Sequence, residues 1–422
     1  MITDRTVADR TSDVTVRPRP ATLPPRTALT LDGVFATAAL RRPGAIAVQD
    51  DQGPLTYARA EAQSARLGSL LVRGGVQLGD PVIVHCDDHR RSLVAQLAVL
   101  KAGGVCVPVP PGAPEGRLTA VAALTGARVV LCGVSTGDRW PRRRVLVLDD
   151  PLTLRLSAAH HREHTLPRSA PHEAAHLLAS GAGGPLTGQL ADHAAWRLAL
   201  TGATRAAGLP VRHVVVCGPP GTPHALAALW WAVSFAGTLH CLPRPGAPAP
   251  AAARAAVVVS SPEEYAERLP ELRTRPRLVR LLGGPVPPEL AARHFAALPT
   301  TPLRAEFAPG GGAFPWAVRD LTAEDGTLDE RVIGLPAPGV RVRVLDRDQR
   351  AVPVWCTGEL CAEGPALPFD TIHGPGRTAP PAAHPALLRS AVAARRRADG
   401  LLELAGPVAG SPPGRHRRPP AP

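Results

Sequence analysis

Apolar residues recur at helical spacing from Leu31 to Leu40, and Ala45 to Gln49 then predicts a short strand, followed by a turn over Asp50 to Gly53. Tyr57 to Arg73 reads as an amphipathic helix closed by Gly74 and Gly75. Pro81 to His85 predicts a strand, Arg91 to Ala102 a helix ending at Gly103, and Val105 to Val109 a second strand. Leu118 to Leu124 is helical and Arg128 to Leu131 extended. Strand and helix alternating in this way predict a doubly wound α/β sheet.

A second series of the same kind begins after Asp192. His193 to Thr201 predicts a helix, Val214 to Cys217 a strand, Ala225 to Ala236 a helix, and Val257 to Ser260 and Leu278 to Leu281 short strands. From Val332 the pattern turns to β, with strands at Val340 to Leu345 and Thr357 to Cys361 about a turn at Asp346 to Gln349. Pro365 to Pro385 and Gly410 to Pro422 are Pro-rich and read as irregular.

The expected fold class is therefore α/β, with two doubly wound βαβ subdomains and a small β-barrel-like subdomain. The boundaries are a disordered head at 1–28, α/β subdomains at 29–200 and 201–330, a β-rich subdomain with a Pro-rich insertion at 331–406, and a disordered basic tail at 407–422. No Asp, Glu, Lys or Arg occurs from His213 to Leu242, but the apolar part, Ala225 to Leu239, is too short to span a bilayer. A buried helix is predicted there, and no membrane association.

Composition narrows the functional classes. Of 422 residues 45% are hydrophobic, enough for a sizeable core despite 40 Gly and 49 Pro. The 48 basic residues against 35 acidic ones leave a charge of +13, yet Lys101 is the only lysine. The arginines are dispersed and aromatics make up 3%, which argues against nucleic-acid binding. Seven cysteines without a C-x-x-C pair suggest idle thiols in a reducing compartment. The head carries acids, arginines and prolines but no apolar block of signal-peptide type, so the cytoplasm is the expected location.

Two histidine clusters suggest metal chemistry. His172-Glu173-Ala174-Ala175-His176 spells H-E-x-x-H, which binds zinc only on a helix, whereas Pro171 before it and Leu177-Leu178-Ala179 after it predict a strand. His160, His161 and His164 lie in a segment with neither helical context nor a nearby Cys or Asp ligand, and read as a solvated linker. Ser180 lacks the G-x-S-x-G elbow that would make it a nucleophile with His193 as base. Trp230, Trp231 and Phe235 read as core packing on a helix, with an acyl-pocket lining as the other possibility.

Four collinear segments resemble the adenylate-forming enzymes, particularly the amino-acid adenylation domains of nonribosomal peptide synthetases. They are Pro54-Leu55-Thr56-Tyr57, the run Leu100-Lys101-Ala102-Gly103-Gly104-Val105-Cys106-Val107-Pro108, Gly358-Glu359-Leu360, and Arg397-Ala398-Asp399-Gly400-Leu401-Leu402-Glu403 before Gly406. The resemblance runs from about Leu31 to Gly406 and implies the large N-terminal part of that fold. It also implies a phosphate loop, a metal ligand and a ribose anchor, which can be checked residue by residue.

The phosphate loop corresponds to Ser180, Gly181, Ala182, Gly183, Gly184, Pro185, Leu186, Thr187 and Gly188. Two hydroxyl positions have become Ala182 and Gly183, and Thr187 stands where the family has lysine. The family's Asn-x-Tyr-Gly-Pro-Thr-Glu corresponds to Ala305 to Gly311, with Gly310 for the threonine and Gly311 for the glutamate, while Glu306 is out of register. The ribose aspartate corresponds to Val392, and the carboxylate that grips a substrate amine to Pro223. The sequence stops shortly after Gly406, where the family continues into a subdomain carrying a catalytic lysine. Lys101 does not replace it, because its motif places it at the end of a packed helix.

The resemblance thus implies a degenerate adenylation-domain homologue with a vestigial phosphate loop at Ser180, Gly181, Gly183, Gly184, Thr187 and Gly188. No catalytic residue, metal ligand or cofactor is expected, and a carrier protein or peptide synthetase is the expected partner. The alternative is an active ligase using ATP and Mg²⁺, completed by a partner chain. Either reading requires the glycine loop, Phe307 and Val392 to meet in one cleft.

Overall fold

The structure, a computed structural model, describes residues 30–140, 144–159, 169–181, 186–208, 212–242, 256–272, 275–324, 329–373 and 387–407. The chain runs α1 (Leu31–Arg41), β1 (Ile46–Asp50), β2 (Gly53–Thr56), α2 (Tyr57–Arg73), β3 (Pro81–His85), α3 (His89–Lys101), β4 (Val105–Pro108), α4 (Glu115–Thr125) and β5 (Val129–Cys132). It continues through α5 (Val134–Gly137), β6 (Arg144–Val147), α6 (Pro151–Ala159), β7 (Ala174–Ser180), β8 (Thr187–Asp192), α7 (His193–Ala207), β9 (His213–Val216), α8 (Pro223–Ser234) and β10 (Thr238–Cys241). Then follow β11 (Val257–Ser260), α9 (Pro262–Arg268), β12 (Leu278–Gly283), α10 (Pro288–Ala297) and β13 (Leu303–Phe307). The last strands are β14 (Ala317–Leu321), β15 (Val332–Pro336), β16 (Arg341–Leu345), β17 (Thr357–Glu363), β18 (Asp370–His373), β19 (Leu388–Arg396) and β20 (Leu402–Pro407).

Local chemistry accounts for the helix starts. Thr30, Thr56, Asp88 and Asp192 cap α1, α2, α3 and α7, each accepting a bond from a backbone N–H three residues on. Gly126 and Gly208 end α4 and α7 in the left-handed conformation, where a Cβ would be strained.

Two sheets form. The smaller has the order β18-β8-β7-β4-β3-β5-β6, parallel from β7 to β6 and antiparallel at β7-β8 and β8-β18. The larger has a parallel centre, β1-β10-β9-β11-β12-β13, and continues through β14 and β15 into antiparallel β20, β19, β17 and β16. The sheets cross the divisions drawn from sequence. Ile46–Asp50, early in the 29–200 segment, pairs with Thr238–Cys241, and Asp370–His373, within the 331–406 segment, pairs with Thr187–Asp192.

For Asp370–His373 that last pairing corrects the reading of Pro365 to Pro385 as irregular, because Ile372 and Gly188 face each other in a ladder whose partner is nearly two hundred residues away, while 374–385 lie outside the described residues. The 15-residue α7 also runs well past Thr201. The 1–28 head, the histidines at 160, 161 and 164, and nearly all of the 407–422 tail lie outside the described residues.

Helix α8 is buried on almost every side, which is why its sequence shows no polar face, and α3 is buried from Ala95 to Lys101. Trp230 and Trp231 are fully buried on α8, as core packing requires, while Phe235 at its C-cap is 39% exposed. Trp230 Nε1 lies 3.1 Å from Gln96 Oε1 on α3 and 3.2 Å from His176 Nε2 on β7, which ties α8 to the smaller sheet. Among the described residues no helix is long and apolar enough to cross a membrane.

Candidate functional site

Strand β7 ends at Ser180, and the chain returns as β8 at Thr187. The two side chains meet across this hairpin, with Ser180 Oγ 3.3 Å from Thr187 Oγ1, so the hydroxyls on either side of the glycine run are brought together. Gly188 is packed on both sides: a Cβ there would meet Ile372 at 2.7 Å and Leu177 at 2.9 Å. It serves the packing of β18 on β8. Gly183 and Gly184 lie outside the described residues.

Opposite this hairpin, the short turn Pro309–Gly311 follows β13. Gly310 has φ +68°, and a Cβ on it would lie 3.6 Å from Ser180 Oγ. On β19, Ala391 adopts φ +55°, a conformation that usually needs glycine, and Val392 follows it. The resemblance places the glycine of the family's Thr-Gly-Asp run at Ala391, so the left-handed turn has outlived its glycine.

Gly181, Phe307 and Val392 do converge. They line a cleft of about 500 Å³ together with Pro223, Gly310 and Arg117. Its remaining walls are mostly apolar, including Val109, Val121, Leu178 and Leu226. Gly221, at φ +82°, lets the loop before α8 close on the backbone of Val109 and Pro110, which a Cβ would meet at 2.8 Å.

Arg117 is the one ionisable side chain among the described residues lining this cleft. It projects from α4 and donates to the carbonyl of Ala179 at 2.9 Å, next to the glycine loop. Sequence reasoning missed it, because an arginine in the first turn of an unremarkable helix carries no local signal.

The charged residues singled out from sequence lie elsewhere. Glu306 precedes Phe307 on β13 and points to the opposite face, where Arg280 binds it at 2.8 and 2.6 Å. Lys101 ends α3 and pairs with Glu61 on α2 at 2.7 Å, the structural role its motif implied. Glu359 pairs with Arg389. His176 lies on a strand and not on the helix that zinc binding would need; burial holds it neutral, with its pKa pushed down to about 3, between Gln96 and Trp230. Ser180 and His193 have separate partners, since His193 Nδ1 accepts from the backbone N–H of Leu31 at 3.1 Å.

A magnesium nucleotide needs oxygen ligands for its cation and an acceptor for its ribose. The described residues here do not fit that demand. Gly310, Gly311 and Val392 supply no side-chain oxygen, no carboxylate lines the cleft among the described residues, and none of these residues forms a cluster of three His, Cys, Asp or Glu that could hold a metal.

Two sheets meeting at a glycine-loop cleft define the N-terminal part of the adenylate-forming fold. Residues 35–368 match the family model of the AMP-binding enzymes, and the chain belongs to that family. Among curated relatives it is 29% identical over 374 residues to the probable non-canonical nonribosomal peptide synthetase CymA of Salinispora arenicola, covering 83% of this chain and 5% of that protein. It is 29% identical over 408 residues to the phosphinothricin tripeptide synthetase PhsC of Streptomyces viridochromogenes, covering 90% and 36%. The chain therefore spans a minor part of the relatives it matches.

Solved structures show the same fold. The N-terminal subdomain of Klebsiella oxytoca NpsA, in complex with 3-hydroxybenzoyl-AMSN, aligns with a TM-score of 0.70 at 20% identity over 90% of this chain and 100% of that one. A benzoate CoA ligase from Burkholderia xenovorans LB400 aligns with a TM-score of 0.74 at 18% identity, over 90% and 80%.

Proposed function

We propose that this protein is an adenylation-domain homologue of the peptide-synthetase type that has lost, or nearly lost, adenylate formation. The observation that carries this reading is the lining of the cleft. Arg117 is its one charge among the described residues, and Val392 and Gly310 occupy positions where the resemblance calls for an aspartate and a threonine. Thr187 in place of the loop lysine removes a further contact to phosphate. Removing one electrostatic contact of this kind typically costs on the order of a hundredfold to a thousandfold in rate.

A carrier protein or a peptide synthetase is the partner this reading implies, since the relatives are multidomain peptide synthetases. Six buried cysteines without disulfides support a reducing, cytoplasmic setting. The second reading is an active ATP- and Mg²⁺-dependent ligase completed by a partner chain. The open cleft and the left-handed turn retained at Ala391 favour it.

ATP–pyrophosphate exchange separates the two. The first reading expects no exchange with any amino or carboxylic acid, with or without partners. Exchange by the isolated chain overturns the first, and its absence with every pathway partner added overturns the second.

A further inference from the structure

We propose that a second cavity, of about 320 Å³ and framed by α2, α3 and α6, binds a small organic carboxylate with an apolar body. It shares no lining residue with the cleft, so the proposal stands apart from the reading of that site. Its position is the first argument. In the smaller sheet the order β4-β3-β5-β6 reverses direction between β3 and β5, because the chain leaves β3 toward β4 and leaves β5 toward β6. Open parallel sheets bind ligands outside the carboxyl ends of their strands beside such a reversal. Asp88 follows β3 and Leu148 follows β6, and both line the cavity.

The second argument is the lining. Leu55, Leu67, Val94, Leu148 and Leu154 form an apolar floor suited to a hydrocarbon body. Three arginines reach the cavity, and they differ. Arg91 is committed to three carboxylates, bonding Asp88 and lying 3.2 Å from Asp87 and 3.0 Å from Asp149. Asp88 and Asp149, the two aspartates that line the cavity, thus share this one guanidinium with Asp87. Arg90 donates Nη1 to the Gln52 carbonyl at 2.8 Å, lies 3.8 Å from Asp50, and keeps a buried Nε–H without a partner. Arg66 has no hydrogen bond or ion pair with any described residue, yet it lines the cavity one helical turn from Gln63. One uncommitted guanidinium, one spare N–H and an apolar floor match a monoanion better than a polyanion.

Calorimetric titration of the full chain with phenylacetate tests this. Binding is expected, weakened about tenfold or more by Arg66→Gln and unchanged by Arg117→Gln in the main cleft. Acetate, which lacks the apolar body, should bind at least about tenfold more weakly. Far-ultraviolet circular dichroism confirms that each variant is folded. Any of four results overturns the proposal: no phenylacetate binding, binding that survives Arg66→Gln, binding that is lost with Arg117→Gln, or equal affinity for acetate.

Discussion

Arg280 on β12 and Glu306 on β13 form a bidentate ion pair, 2.8 and 2.6 Å long, that is almost wholly buried in the large sheet. The guanidinium also lies over Trp231, with its carbon 4.1 Å from the ring centre. This pair ties α8 to the sheet and takes up the one carboxylate that sequence proximity placed beside the nucleotide motif. Glu306→Leu leaves Arg280 buried without a counter-charge and is expected to cost about 3–5 kcal/mol in urea unfolding. A change below about 1 kcal/mol shows that the pair is not structural.

Restoring the missing groups tests the assignment of the cleft. The triple variant Thr187→Lys, Gly311→Glu, Val392→Asp is expected to raise affinity for ATP and Mg²⁺ by at least about tenfold, since each charge-assisted bond is worth roughly 1.5–3 kcal/mol. Gly310 stays unchanged because its φ of +68° would strain a threonine. Isothermal calorimetry giving the same affinity as the parent shows that these positions do not face the nucleotide.

Ala391 stands at φ +55°, in a region that penalises a Cβ by about 1–2 kcal/mol. Ala391→Gly relieves this at a smaller cost in unfolded-state entropy, so net stabilisation of up to about 1 kcal/mol is expected. A lowered melting temperature contradicts the left-handed conformation.

Stability should fall in acid. Burial holds His176 neutral, with its pKa lowered to about 3, and His89 and His193 likewise at about 4, the nearby Asp32 partly offsetting the burial of His193. Unfolded histidines titrate near 6.5, so below that pH the unfolded chain binds more protons. The contribution of these residues is fully present above about pH 6.5 and is lost as pH falls toward 4, by about 1.4 kcal/mol per pH unit for each histidine. Asp50 acts in the opposite sense, because burial and then Asp88 raise it to about 6 and its contribution is lost as pH rises through that value. The histidines outnumber it. Urea unfolding at pH 7.5, 6 and 5 should show the decline, and His193→Asn should flatten it.

Thiol chemistry should single out one site. Cys356 is exposed and the other six cysteines are buried. Burial also pushes the thiols up, Cys361 to about 11 and Cys132 and Cys217 to about 12. A disulfide-exchange reagent should modify one thiol in the native protein and all seven once it is unfolded, and Cys356→Ser should abolish the native reaction.

Much of the secondary structure was legible in the chain because it is encoded locally. Thr56 caps a helix whose apolar stripe runs to Arg73, and Val257–Ser260 is a β-branched run, so both segments read directly from residue order. The order of the motifs also sufficed to name the residues of one cleft, Gly181, Phe307 and Val392. What the chain order alone did not disclose depends on partners far away. Asp370–His373 becomes a strand because β8 offers it an edge, and Glu306 turns from the cleft because strand geometry sends it to the face where Arg280 lies. Arg117 enters the cleft and Arg66 a second cavity only once separate helices are packed against the sheets. Local propensity and capping act over a few residues, whereas strand pairing, ion pairing and the shape of a cavity are settled by contacts that exist only when the chain has folded.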